Sequence, residues 1–136
     1  MGKNGGQQIM IDEKLAAGEA GKISIKRVYS EPSSDDGFRV LVDRLWPRGM
    51  THERARIDEW LKDVAPSPSL RKWWGHNPET MEEFAAKYVA ELDENPAVEK
   101  LREILFQNAQ VTLVFAAKDL YVNHARVLKE YMEKHM

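Results

Sequence analysis

The 136-residue sequence contains no cysteine, which excludes disulfide bonds, thiolate metal sites and a cysteine nucleophile. No apolar run approaches the roughly 18 residues that a membrane span needs, and the N-terminus lacks the basic-then-apolar pattern of a signal peptide. The glycines are too dispersed for a phosphate-binding loop or a dinucleotide fingerprint. We therefore expect a cytoplasmic protein with no membrane partner.

Metal-ligand patterns are also missing. His52, His76 and His135 are scattered and show no ligand spacing, so we predict no metal site and no cofactor. Hydrophobic content of 43% and charged content of 31% are typical of one soluble globular domain. A net charge of −2 gives no general attraction to nucleic acid, which disfavours such a partner without excluding it.

Charge is distributed unevenly along the chain. Residues 38–76 contain eight Arg or Lys against five Asp or Glu, together with all four tryptophans. Residues 77–110 contain three basic residues against eight acidic ones. This asymmetry fits an anion-facing side and a solvated acidic side, and it equally fits helix faces that pair with each other.

The pattern of residues predicts a flexible extension followed by one domain. Residues 1–21 are rich in glycine and polar residues, which is typical of a mobile segment. Residues 22–136 form the single domain. Its first strand is expected at 22–29, where apolar and polar residues alternate, and its second at 38–45, after dense turn residues at 31–37.

Several helices are expected after the second strand. Thr51 is a suitable N-cap for a helix that continues to Val64 and ends before Pro66. Asn-Pro pairs, which favour helix starts, occur at Asn77 and Asn95. The remaining predictions are a short segment at 70–75 and a terminal helix from Asn123 to about Lys134.

The run Val111–Ala117 is nearly uniformly apolar. A strand buried on both faces has this composition, so we place it centrally in a parallel sheet. The predicted fold is a small three-layer α/β domain, a mostly parallel central sheet with helices on both faces. The link at 31–37 is short for a parallel crossover, which leaves an antiparallel hairpin open, although we favour the parallel arrangement.

Ligands of open α/β sheets bind outside the carboxyl ends of the strands. Segments 29–30, 43–48 and 118–119 follow the predicted strands, and residues 123–124 begin the last helix. Arginine offers bidentate donors for phosphate or carboxylate, and lysine adds a point charge. The predicted ligand-binding residues are Arg44, Trp46, Arg48, Lys118 and Asn123.

Two residues are candidates for acid-base catalysis. His124 has an ordinary pKa suited to proton transfer near neutrality, and Asp43 could orient it or act as the base. Each has a structural alternative. Asp43 could form an ion pair with Arg44, Arg48 or Lys118, and His124 could be a helix-start residue bonded to backbone.

Other conspicuous side chains have structural interpretations. Ser67 is interpreted as a turn or cap residue, because no adjacent base is evident. Tyr88 lies on an apolar stripe and is expected in the core with a satisfied hydroxyl. The four tryptophans are expected to be mostly core, with one ring free to flank a pocket.

A set of motifs runs through the domain in a specific order and spacing. The motifs are Lys26–Tyr29, Asp36–Gly49, Trp60, Ala65–Ser67, Leu70–Trp73, Phe84, Tyr88, Glu91–Leu92, Ala117–Asp119 and Asn123–Ala125. Together they resemble the YeaO-like family, a bacterial group of domains of unknown function. The resemblance covers about residues 23–131 and implies a compact, mostly parallel α/β fold but no reaction. A broader related group has Asp-Val-Arg after its second strand and Cys-His-Arg where this chain has residues 123–125, so thiol chemistry is not inherited.

Two functional hypotheses follow. The first is an enzyme that acts on a small anionic ligand, a nucleotide or phosphorylated metabolite, at the strand carboxyl ends. The alternative is a non-catalytic module that binds nucleic acid or a protein partner through the Arg/Trp-rich half. An enzyme needs the candidate site residues around one concave pocket. A module needs one flat exposed face formed by Arg54, Arg56, Arg71 and Lys72. We favour the first, and the oligomeric state is left open.

Overall fold

The computed structural model describes residues 20–136, so the predicted extension at 1–21 lies outside the described residues except for Ala20 and Gly21. Short 3-10 turns occur at Ser34–Asp36, Lys62–Val64 and Pro78–Thr80. The strands and α-helices of the described part are β1 (Lys22–Arg27), β2 (Phe38–Leu41), α1 (His52–Ala55), β3 (Glu59–Trp60), α2 (Pro68–Trp74), α3 (Met81–Leu92), α4 (Ala97–Gln107), β4 (Gln110–Phe115) and α5 (His124–Lys134).

The strands form one sheet in the order β1-β4-β2-β3, and every neighbouring pair is parallel. The central position predicted for the apolar run near residue 111 is confirmed, because β4 lies between β1 and β2 and five of its six residues are buried. Strands β1 and β2 each pair with β4 and not with each other. The parallel arrangement is therefore confirmed, and the hairpin is excluded.

The two faces of the sheet are covered unequally. Val40, Val111, Leu113 and Phe115 belong to the larger core, which also contains buried residues of α2, α3, α4 and α5. Leu41 and Val114 belong to a smaller cluster with Val28, Met50 and Ala55 of α1. The predicted α/β class, with helices on both faces, is confirmed, and one of its outer layers is thin.

A buried ion-pair cluster attaches the thin layer to the sheet. Arg39 is 3% exposed, and its Nη1 lies 2.6 Å from Oδ2 of Asp36. Its Nε and Nη2 donate to the carbonyl oxygen of Ala55, at 3.1 and 2.7 Å. Burial raises the pKa of Asp36, but hydrogen bonds from the Ser33 N–H, from Lys26 and from Arg39 outweigh burial and leave this pKa below its ordinary value.

Gly37 occupies a position that only glycine fits. Its φ is +65°, in the left-handed region, and a Cβ atom there would lie 2.2 Å from the carbonyl oxygen of Gln110. Gly49 also has a positive φ, +74°, but nothing lies within 4 Å of its Cβ position. The link before β2 therefore passes directly against the start of β4.

The helix predicted from Thr51 to Val64 is wrong beyond its first turn. Thr51 does cap α1, with its hydroxyl accepting from the Arg54 N–H at 3.1 Å. Arg56 then adopts a left-handed φ of 50°, and β3 pairs with β2 at the sheet edge. The Leu61 N–H donates to the Leu41 carbonyl at 2.9 Å. Pairing with the sheet satisfies backbone groups that a helix would have satisfied internally.

The other predicted helix starts are confirmed by their caps. The Asn77 side chain accepts from the Glu79 N–H at the turn before α3, and Asn95 Oδ1 accepts from the Ala97 N–H at the start of α4. The short segment at 70–75 is helix α2, which Ser67 caps. No helix among residues 20–136 is both long and apolar enough to cross a bilayer.

Candidate functional site

A cavity of about 380 Å³ lies at the carboxyl ends of the strands. Its volume falls near the lower end of the roughly 300–1,000 Å³ range of small-molecule sites. Ala116 and Ala117 line it after β4, and Arg71 of α2 closes another side. The predicted site residues that line it are Asp43, Arg44, Trp46, Arg48 and His124.

Asp43 follows β2 and connects it to the end of β4. Its Oδ2 accepts from the Ala116 N–H at 3.0 Å, and its Oδ1 lies 3.4 Å from Nε2 of His124. Within the described residues, no lysine or arginine lies within 4.0 Å of the carboxylate. The predicted alternative of an ion pair is therefore wrong for all three of its proposed partners, Arg44, Arg48 and Lys118.

His124 is the first residue of α5 and is 8% exposed. Its Nε2 lies 3.0 Å from the Val42 carbonyl oxygen as well as near Asp43. Because both neighbours are acceptors, Nε2 is the nitrogen that carries the proton of the neutral ring. The interpretation of His124 as a helix-start residue bonded to backbone is confirmed.

Burial moves the pKa values of this pair in opposite directions. It raises the pKa of the Asp43 carboxyl above its ordinary value, although the charge of His124 and the Ala116 N–H oppose the change. It lowers the pKa of His124 below its ordinary value, against the opposing charge of Asp43. We therefore describe His124 as a neutral donor at pH 7.

Two arginines bring uncommitted donors to the cavity. Nη2 of Arg44 donates to the Ala65 carbonyl at 3.2 Å, and its Nη1 lies 3.9 Å from Oδ1 of Asp63. The Nε atoms of Arg44 and Arg71 are buried, and no acceptor within residues 20–136 bonds to either of them. Oδ1 of Asp43 is buried and lacks a hydrogen bond within the same residues. Because these three atoms are closed to solvent, the donors that a ligand in the cavity can reach are the Nη groups of the two arginines.

Arg71 is a site residue that sequence reasoning missed. The sequence places it in a short segment between two proline-containing turns and assigns it to an exposed face. Its entry into the cavity depends on how α2 packs against the strand ends, which no local pattern shows. His76, just after α2, also lines the cavity and was missed for the same reason.

Arg48 and Trp46 lie at the cavity in different ways. Arg48 is exposed, and its carbonyl oxygen accepts from the Tyr29 hydroxyl at 2.8 Å. Trp46 is partly buried, its Nε1 donates to the Met50 carbonyl at 2.6 Å, and its ring stacks on His52 with centroids 4.1 Å apart. The Trp46 ring is thus fixed by contacts within the protein and forms part of the cavity wall.

Lys118 and Asn123 do not line this cavity. Lys118 is exposed and borders an adjoining cavity of about 310 Å³, which also includes His76. Asn123 is buried and caps α5, with Oδ1 accepting from the Arg126 N–H at 2.8 Å and Nδ2 donating to the Asp119 carbonyl at 2.9 Å. Both polar atoms of its side chain are thus engaged by the protein.

The tryptophans are less buried than expected. Trp74 is 3% exposed and belongs to the core, whereas Trp60 and Trp73 are 36% and 46% exposed. The prediction of mostly core rings is wrong for these two, because β3 and the outer side of α2 face away from the core.

The flat basic face that a nucleic-acid or protein-binding module would need does not include all of its predicted arginines. Arg54 and Arg56 border a separate cavity, so Arg71 is not part of one flat face with them.

Other interpreted side chains occupy structural positions. The Tyr88 ring is fully buried, and its hydroxyl donates to the Val64 carbonyl at 2.7 Å, which confirms the expected core role. Ser67 caps α2 through Leu70 and donates to Oε2 of Glu91 at 2.5 Å. In the part of the chain that the structure describes, no three His, Asp or Glu side chains group as ligands for a metal ion.

Comparisons with known proteins identify relatives of the chain. A family profile described as "Inactive DUF488-N3 subclade" matches residues 22–136. The uncharacterized protein Rv3073c of Mycobacterium tuberculosis is 41% identical over 111 residues, which cover 82% of this chain and 93% of that protein. The uncharacterized protein YeaO of Escherichia coli is 37% identical over 110 residues, 81% of this chain and 96% of that protein. No solved structure matches the chain. The chain therefore belongs to the inactive DUF488-N3 subclade and to the YeaO-like family that its motifs predicted, a bacterial family of unknown function.

Proposed function

We propose that this protein binds a small phosphorylated ligand in the cavity at the strand carboxyl ends. The observation that carries the proposal is the group of three arginines, Arg44, Arg48 and Arg71, that line one cavity. Guanidinium groups bind phosphate oxygens through charge-assisted hydrogen bonds, and their planar shape matches the geometry of the anion.

The charges around the cavity suit an anion. Arg44, Arg48 and Arg71 line it, and Asp43 is the one carboxylate among its described lining residues. The hydrogen bond from Arg44 to Ala65 orients that guanidinium before a ligand arrives, which lowers the entropic cost of binding. The Asp43 side chain is partly exposed and lines the same cavity, where its carboxylate can accept from a ligand hydroxyl, so a sugar phosphate or nucleotide fits better than bare phosphate.

Binding without turnover is the function that we favour. The description of the family as inactive agrees with the lack of cysteine in this chain. The Nε2–H of His124 donates to the Val42 carbonyl, so this group is not available to a substrate. A cytoplasmic location remains part of the proposal.

Catalysis by Asp43 is the second candidate. Its side chain is partly exposed and lines the cavity, and burial raises the pKa of its carboxyl in the direction that favours a general base. Under this hypothesis Arg44 and Arg71 bind the phosphate while Asp43 accepts a proton from the substrate.

Calorimetric titration at low salt with a panel of phosphorylated sugars and nucleotides tests binding. Arg44→Gln and Arg71→Gln should each weaken it at least about tenfold, since each removes a charge-assisted contact. Lys72→Gln is the matched control, because Lys72 lies on α2 beside Arg71 but is exposed and does not line the cavity. Absence of binding to every phosphorylated compound, or equal loss in the control, overturns the proposal.

Incubation of wild type with each ligand that binds, followed by chromatography, separates binding from catalysis. An unchanged ligand supports the binding protein. Conversion that Asp43→Asn abolishes while binding persists establishes the enzyme instead.

A further inference from the structure

We infer that the ligand is a mononucleotide whose base stacks on Tyr29. This inference rests on the proposed function and adds the identity of the group attached to the phosphate. It comes from an aromatic ring that the phosphate site does not explain.

Tyr29 forms a wall between two cavities. It follows the buried residue Val28, yet it is 42% exposed. It lines the site cavity together with Arg44 and Arg71, and it also lines a neighbouring cavity of about 280 Å³ that contains Arg54. An exposed ring in this place presents an aromatic surface within the same cavity as the phosphate donors.

The ring is held in position by contacts at its edge and its face. The hydroxyl donates to the Arg48 carbonyl at 2.8 Å. The guanidinium carbon of Arg27 lies 5.2 Å from the ring centroid, and Nε of Arg27 donates to the Ala117 carbonyl at 2.8 Å. Because Arg27 is itself tied to the backbone after β4, the ring is preorganised, and stacking a base on it requires little additional ordering.

The combination of groups selects the class of ligand. Arg44 and Arg71 suit a phosphate, the partly exposed carboxylate of Asp43 suits a hydroxyl, and Tyr29 suits a flat ring. Leu45, 70% exposed, adds an apolar side chain to the same lining. A phosphorylated sugar uses the first two features only, whereas a mononucleotide uses all of them. A cavity of about 380 Å³ fits one nucleotide better than a polymer.

The test compares adenosine 5′-monophosphate with ribose 5-phosphate, which has the same sugar and phosphate but no base. In wild type the mononucleotide should bind about tenfold more tightly, the scale of one base stacked on an aromatic side chain. Tyr29→Leu should remove that advantage, so that the two ligands bind with similar affinity. Tyr29→Phe, which keeps the ring and loses the contact to Arg48, should retain most of the advantage.

The outcomes separate this inference from the proposed function. Equal affinities for the two ligands in wild type, with both weakened by Arg71→Gln, overturn the nucleotide and leave the phosphate site in place. Binding of neither ligand overturns both. A short single-stranded oligonucleotide that binds far more tightly than the mononucleotide overturns the assignment to a small molecule.

Discussion

The Nε2 atom of His124 lies 3.4 Å from Oδ1 of Asp43, although 80 residues separate the two in the sequence. This contact joins the residue that follows β2 to the first residue of α5. The other carboxylate oxygen of Asp43 accepts from the Ala116 N–H beyond β4. The pair therefore connects three segments on one side of the cavity, and its first role is to hold the cavity wall together.

The stability of the protein should fall as the pH drops from 7.5 to 5.5. Because burial places the pKa of His124 below its ordinary 6.5, the unfolded chain takes up a proton in this range that the folded protein does not. The contribution of neutral His124 to the free energy of unfolding is thus complete above pH 6.5. It is lost as the pH falls from there through the pKa that His124 has in the folded protein. Asp43 has the opposite effect on the free energy of unfolding. Because its pKa is raised in the folded protein, the folded state takes up this proton at a higher pH than the unfolded chain does.

Urea unfolding at the two pH values measures this effect. His124→Gln should reduce the difference between them, because it removes the buried imidazole. If the His124 variant kept the pH dependence of wild type, burial of the imidazole would not be its source.

Asp43→Ala should lower the free energy of unfolding by about 1–3 kcal/mol, because it leaves the Ala116 N–H without its acceptor. Asp43→Asn keeps a carbonyl oxygen at this position and should cost less. Urea unfolding of both variants at pH 7 makes the comparison. Equal losses would show that the Ala116 contact contributes little.

Arg39→Ala should lower the free energy of unfolding by about 3–5 kcal/mol, since removing one member of a buried ion pair leaves the other charge poorly compensated. Lys26 still contacts Asp36, which favours the lower end of this range. Arg54→Ala, at an exposed position on α1, should change the stability by less than about 0.5 kcal/mol. A small loss in the Arg39 variant would mean that α1 is held by its apolar contacts alone.

Gly37→Ala should destabilise the protein more than Gly49→Ala. Both substitutions place a Cβ at a residue with positive φ, which costs about 1–2 kcal/mol of stability. At Gly37 the new atom also overlaps the Gln110 carbonyl oxygen, whereas at Gly49 it meets open space. Thermal unfolding of the two variants gives the comparison, and equal melting temperatures would indicate that the link before β2 shifts away from β4 at little cost.

Local patterns predicted those parts of the fold that local physics determines. The uniformly apolar run at β4 indicated a strand covered on both sides, and Asn123 marked the start of α5 through its capping chemistry. The spacing of Ile57 and Trp60 suggested a helix, but the free edge of β2 paired with this segment instead. Tertiary pairing prevailed there over a helical pattern.

The candidate site was predictable only in part. Asp43, Arg44 and Arg48 follow a strand, so the rule for strand carboxyl ends places them at the cavity. Arg71 reaches it from a helix whose packing the sequence does not reveal. The strand rule also suggested Lys118, but the chain after β4 turns so that this side chain borders the adjoining cavity.

The order of strands in the sheet sets the order of events during synthesis. Apart from the short pairing of β2 with β3, every ladder of the described sheet includes β4, at residues 110–115. A nascent chain emerging from the ribosome therefore holds β1 without a partner strand, and β2 with only the short β3 beside it, until β4 has been made. Cooperative folding of this domain must wait for residues 110–115, and fragments that terminate before residue 110 should be targets for proteases.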